Sequence, residues 1–154
     1  MRNGFTIVEL LVSISILVFI ASGSFGAYRA VARREVLDSA HQQIRTNFSY
    51  IRQQALSGVR STSCIGPLNA YRVTFDDNRN YTASVVCGAG APVRDKTYEL
   101  PVGTEFTTTR PNAILYKVVG DGVVVDGAST IVIQTTIAGV GTRTVTLNEQ
   151  GLIQ

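Results

Sequence analysis

The spacing of apolar and polar positions changes three times along the chain. From Phe5 to Tyr28 almost every position is apolar or small (FTIVELLVSISILVFIASGSFGAY), and Glu9 is the one charge in 24 residues. At a helical rise of about 1.5 Å per residue this stretch reaches about 36 Å, which predicts a helix able to cross a hydrocarbon core of about 30 Å. A secretory signal peptide is the alternative, with Ala21-Ser22-Gly23-Ser24 as its cleavage site. The length of the apolar run, the lone Arg2 ahead of it and the early Glu9 weigh against that alternative. Past Tyr28, apolar residues recur at Leu37, Ala40, Ile44, Phe48, Ile51 and Ala55. Steps of three and four place them on one helical face. Arg33, Arg34, Asp38, Gln42, Arg45, Asn47 and Arg52 lie mostly off it, and Ser57-Gly58 supplies a stop. No proline interrupts residues 5–57, so a single helix of about 80 Å is expected, apolar in its first half and amphipathic in its second. Gly23 and Gly26 are where it is most able to bend or unwind.

After Gly66-Pro67 the pattern becomes alternation. Tyr71, Val73 and Phe75 share one side of a strand, Asp76-Asp77-Asn78-Arg79-Asn80 is turn chemistry, and Tyr81 to Val86 reads as the returning strand. Further strands are expected at Lys96–Leu100, Glu105–Thr109, Ala113–Val119, Val123–Val125, Thr130–Ile137 and Thr142–Leu147, separated by glycine-rich turns. A long helix followed by an antiparallel sheet is an α+β head, with Leu37, Ile44, Phe48 and Ile51 packed on the sheet's inner face.

Composition adds little until the chain is divided. Its 154 residues suffice for one domain, and the averages exclude disordered, collagen-like and cysteine-dense classes. Residues 1–60 carry seven arginines against Glu9, Glu35 and Asp38, a surplus of +4, whereas the remainder has seven basic and eight acidic residues, or −1. Only Arg2 precedes the apolar segment while Arg29, Arg33 and Arg34 follow it, so charge counting alone would place the head on the cytoplasmic side. Long domains translocate largely regardless of such flanks.

Glu9 is the residue with most chemistry to explain, because a carboxylate inside a span costs about 2.5–3.5 kcal/mol and ordinarily has a partner or reaches the interface. The run Arg2-Asn3-Gly4-Phe5-Thr6-Ile7-Val8-Glu9-Leu10-Leu11-Val12 resembles the prepilin signature of type IV pilins and type II secretion pseudopilins, with Ile7-Val8 in place of Leu-Ile. The resemblance implies processing at Gly4 and Phe5: cleavage after Gly4 by a prepilin peptidase/methyltransferase, then N-methylation of Phe5. It further implies that Glu9 docks onto the Phe5 amino group of a neighbouring subunit. The organisation implied is a leader at 1–4, a transmembrane and filament-core helix at 5–28 and an extracytoplasmic pilin-like head at 29–154. The implied location is the bacterial cytoplasmic membrane, single-pass, and then a pilus or pseudopilus filament. Partners on this view are other pilin or pseudopilin subunits, an inner-membrane assembly platform and, before assembly, membrane lipid. The helix-then-strands order and the ending Thr-Val-Thr-Leu-Asn-Glu-Gln-Gly-Leu-Ile look like the GspH/FimT-type minor pseudopilins.

The other reactive side chains are few. Cys64 and Cys87 form an even count in a part expected to meet an oxidising compartment; a bridge between them and two separate buried thiols are both open. Asp76, Asn78 and Asn80 alternate as at the start of a calcium loop, but Tyr81 and Cys87 occupy the places of its glycine and glutamate, so a hairpin turn is expected and no metal. His41, the single histidine, belongs to the amphipathic half of the helix as a packing residue. No phosphate loop, HExxH or GxSxG is present, so neither an enzyme nor a cofactor is expected. Arg45, Arg52 and Arg60 form a candidate DNA-contacting surface, the alternative function being a DNA-binding minor pilin. DNA-binding members carry arginines near the C-terminus, and this chain ends without charge, Gly151-Leu152-Ile153-Gln154.

Overall fold

A computed structural model describes residues 6–60, 64–88, 90–118, 122–136 and 141–148, the side chains of 22–27 and 135 aside. Its first element, α1 (Ile7–Ser57), is 51 residues long, about 76 Å. Thr6 caps the start in extended conformation, and the stop falls at Gly58 in the left-handed region (φ 63°). There the Gly58 N–H donates to the Ala55 carbonyl (3.2 Å) and the Val59 N–H to that of Gln54 (3.3 Å). The backbone remains helical through Gly23 and Gly26, so the expected weak point is not a break.

The two halves of α1 meet different surroundings. Every large apolar side chain from Ile7 to Ile20 is exposed, Ile7 to 80% and Phe19 to 81%. In the second half Leu37, Ala40, Ile44, Phe48, Ile51 and Ala55 are buried, as their spacing predicts. They pack on eight strands: β1 (Leu68–Phe75), β2 (Asn80–Cys87), β3 (Val93–Glu99), β4 (Thr104–Phe106), β5 (Pro111–Lys117), β6 (Val123–Gly127), β7 (Thr130–Thr135) and β8 (Thr142–Thr146). The fold is α+β and pilin-like, a long helix against antiparallel strands. The strands make two sheets rather than the one expected, β3-β2-β1-β5-β6 and β4-β7-β8. The cause is the link after β3. Thr104 N–H and Oγ1 both donate to the Pro101 carbonyl (3.2 and 2.7 Å), and Gly103 takes φ 91°, a turn that sends the chain off the first sheet to pair Thr104–Phe106 with Ile133–Thr135.

Both sheets close over α1. Tyr71, Val73, Tyr81, Val85, Ile114 and Tyr116 come from one and Ile131, Ile133 and Val145 from the other. At the centre Phe48 meets Tyr81 edge-on (5.6 Å between centroids), Tyr81 stacks on Tyr98 (5.1 Å), and Phe75 meets Phe106 edge-on (5.0 Å). Asn47 Nδ2 donates to the Tyr81 hydroxyl at 2.7 Å, so the burial of that phenol leaves its oxygen bonded.

Cys64 and Cys87 are joined by a disulfide, with Cα atoms 5.7 Å apart. It ties the connection after α1 to the end of β2. A loop of this length corresponds to about 3 kcal/mol of stabilisation by restriction of the unfolded chain. Cys64→Ser/Cys87→Ser is therefore expected to lower the unfolding free energy of the head, obtained from urea titration, by that amount, and a value equal to that of the oxidised wild type would refute it.

Candidate functional site at the helix N-terminus

The site begins with Thr6 and Glu9, three residues apart at the first turn of α1. Glu9 N–H donates to Thr6 Oγ1 (3.3 Å), while Glu9 Oε2 accepts from Thr6 N–H (3.3 Å) and from Thr6 Oγ1 (3.1 Å). This is a reciprocal capping box, and it satisfies two of the amide groups a helix start leaves open. A carboxylate in the first turn also faces the positive end of the helix dipole. Glu9 is therefore held by its own chain, aimed back toward the N-terminus. All its bonds use Oε2; Oε1 makes none among the described residues. Gly4 and Phe5 lie outside the described residues. Thr6 carries a role that the motif alone does not reveal, although Thr-x-x-Glu before an apolar run is its sequence signal.

Around this turn the surface is apolar. Burying one such side chain contributes about 1.5–3 kcal/mol, so the stretch from Ile7 to Ile20 favours transfer to an apolar phase by more than about 10 kcal/mol. Among the described residues, no helix is long and apolar enough to cross a membrane. The described side chains of the apolar half end at Ala21, and residues 22–27 of the expected 5–28 span fall outside them.

The remaining candidates are scattered. Arg45 is exposed on α1 beside a shallow depression with Thr46, Ser49, Tyr50 and Gln53, and Arg52 is half-buried. The Arg60 guanidinium donates to the carbonyls of Cys64 (3.3 Å) and Gly66 (2.9 Å), clasping the disulfide loop. Nothing in the sequence pattern distinguishes that internal role from a surface one. The Asp76–Asn80 segment is a turn: Asp77 Oδ1 accepts from the N–H groups of Arg79 (2.6 Å) and Asn80 (2.7 Å), and Oδ2 from Asn80 Nδ2 (2.8 Å). His41 is half-buried on α1, and no cluster of metal-binding side chains occurs among the described residues.

Two carboxylates of the head titrate low. The Asn80 side chain, then the Arg79 and Asn80 backbone N–H groups, hold Asp77 below the usual carboxylate range. Arg143, bonded to Asp38 at 2.6 Å, does the same for Asp38. A carboxylate with a depressed folded pKa contributes stability that is present above its ordinary value, near 4, and is lost as pH falls through the folded value. The urea midpoint is accordingly expected to stay level from about pH 7 to 5 and to fall below about pH 4. Asp77→Asn should flatten the acid limb. An acid limb as steep as the wild type's would count against the Asp77 contribution.

Residues 1–25 match the family model described as Prokaryotic N-terminal methylation motif. The match supports a type IV pilin-like or pseudopilin-like protein and, with it, prepilin cleavage and methylation. Such a motif implies a membrane-anchored protein that is later assembled into a filament beside other pilins. No curated protein and no solved structure matches the chain.

Proposed function

We propose that the chain is a structural subunit, of the minor kind, of a type IV pilus or type II secretion pseudopilus. In this reading it waits in the cytoplasmic membrane on its apolar half-helix, is cut after Gly4, is methylated on Phe5 and enters a filament driven by a separate assembly platform. The observation that carries the proposal is the junction of a methylation motif with a helix that is exposed and apolar over Ile7–Ile20 and buried on its own head over Leu37–Ala55. A lone globular domain gains nothing from the first half; a bundle of such helices buries it. Glu9 supports the same reading, since its carboxylate already lies at the helix start where a neighbour's amino group would approach. The GspH/FimT-type assignment rests on segment order and on the run from Thr144 to Ile153. The DNA-binding alternative rests on Arg45, Arg52 and Arg60, and the Arg60 guanidinium is bonded to the Cys64 and Gly66 carbonyls.

Intact-mass measurement of the mature chain tests the proposal. Loss of residues 1–4 together with the gain of one methyl group is the expected result. Loss of roughly 20 residues, the signature of an ordinary signal peptide, would overturn it.

A further inference from the structure

The arginines divide by what they touch. Arg60 holds two carbonyls, Arg79 pairs with Glu99 (2.9 Å), Arg110 donates to the Asp77 carbonyl (2.8 Å) and lies over Phe75 and Phe106, and Arg143 pairs with Asp38 (2.6 Å). Arg29, Arg33 and Arg34 make no hydrogen bond or ion pair among the described residues. These three follow Tyr28, which is 74% exposed.

Their position on the helix is specific. Glu9 and Arg29 are 20 residues apart, about 30 Å along the axis, the thickness of a hydrocarbon core. Arg29, Arg33 and Leu37 are spaced four apart and share a face, and Leu37 is the first residue on that face buried by the head. Arg29 and Arg33 thus lie directly below the head, and Arg34 is exposed on an adjoining face. Of the two carboxylates nearby, Asp38 is taken by Arg143, which leaves Glu35 as the one offset against three guanidinium groups. An amphipathic aromatic ring followed by guanidinium groups, one hydrocarbon thickness from the start of an apolar helix, matches the chemistry of a lipid interface.

We infer that Tyr28, Arg29, Arg33 and Arg34 form a collar that binds the headgroup phosphates of acidic phospholipids in the leaflet facing the head. This rests on the membrane-anchored reading above. Guanidinium groups pair with phosphate oxygens in two parallel hydrogen bonds, and each basic group near an anionic surface strengthens the attraction. The collar fixes how deep the helix sits, because drawing it inward forces charge into hydrocarbon. It also keeps the head a set distance from the bilayer until the subunit is withdrawn into a filament.

The chain has no tryptophan, so Tyr28→Trp places a single indole at the collar and Ile14→Trp, in a separate full-length protein, one in the apolar segment. Both are reconstituted in phosphatidylcholine vesicles containing either brominated phosphatidylglycerol or brominated phosphatidylcholine. The Tyr28→Trp indole is expected to be quenched with at least an about fivefold preference for phosphatidylglycerol. That preference should fall toward unity in Arg29→Gln/Arg33→Gln/Arg34→Gln and at high salt, while the Ile14→Trp indole is quenched equally by both lipids. Equal quenching at position 28 by the two lipids, or a preference unchanged by the three glutamines, would overturn the collar while leaving the anchor standing. Failure of lipids brominated deep in the acyl chain to quench Ile14→Trp would remove the anchor and the collar together.

Discussion

Phe48→Ala is expected to destabilise the head by about 3–5 kcal/mol, a large part of the stability of a small domain. Phe48 is fully buried on α1. Its ring meets Tyr81 from β2 at 5.6 Å and Phe75 from β1 at 6.5 Å, both edge-on in the favoured aromatic geometry. Truncation removes the burial of a phenyl group and leaves a cavity where the helix joins the five-stranded sheet. The neighbours are poorly placed to fill it, since Tyr81 is fixed by Asn47 at its hydroxyl and by the stacked Tyr98 on its face. Chemical denaturation of the wild type and variant measures the effect directly. A loss below about 1 kcal/mol would show that the aromatic cluster collapses around the gap and does not hold the helix to the sheet.

Glu9→Ala is expected to abolish incorporation into filaments while leaving the head folded and the chain in the membrane. The capping box gives this variant two consequences that must be separated. Losing the carboxylate removes the acceptor for the Thr6 N–H, which costs about 0.5–1 kcal/mol at one exposed helix end. It also removes the negative charge that, on the proposed function, meets a neighbour's amino group, and in a water-poor bundle an unpaired amine is far more costly. Glu9→Gln separates the two, because its amide oxygen still accepts from Thr6 but carries no charge. Filaments sheared from cells should lack both variants. Normal assembly of Glu9→Gln would mean that capping, not charge pairing, is the reason for an acid at this position.

Much of the fold was legible in the sequence because its local signals agree. The three-and-four spacing from Leu37 to Ala55 needs a single buried face, and the helix that forms has that face. The Asp77-Asn78-Arg79-Asn80 turn was equally plain, since aspartate and asparagine bond to their own backbone there. The division into two sheets was not, because alternation records which side of a strand is buried and not which strand lies beside it. The turn from Pro101 to Thr104 decides that question, and proline and glycine at its corners are compatible with several pairings until the partner strand is in place.

The candidate site divides in the same way. Gly4, Phe5 and Glu9 fall within one short motif, and on the proposed function a peptidase and a neighbouring amine meet them as a local stretch of chain, so their order alone carries the signal. The capping of Glu9 by Thr6 was available in the Thr-x-x-Glu spacing but concealed by the processing motif that overlaps it. The arginines needed the tertiary structure. Arg60, Arg143 and Arg29 are identical in composition, yet one closes a loop onto two carbonyls, one pairs with an aspartate 105 residues away, and one stands apart below the head. A long charged side chain takes its role from whatever comes within its reach, and only folding settles which groups those are. By itself the sequence determined the helix, its two surfaces and the strand-rich head, because periodicity and local spacing encode them. The tertiary structure decided the second sheet and which charges remained available for a partner, because contacts between distant segments depend on how the chain closes over its core.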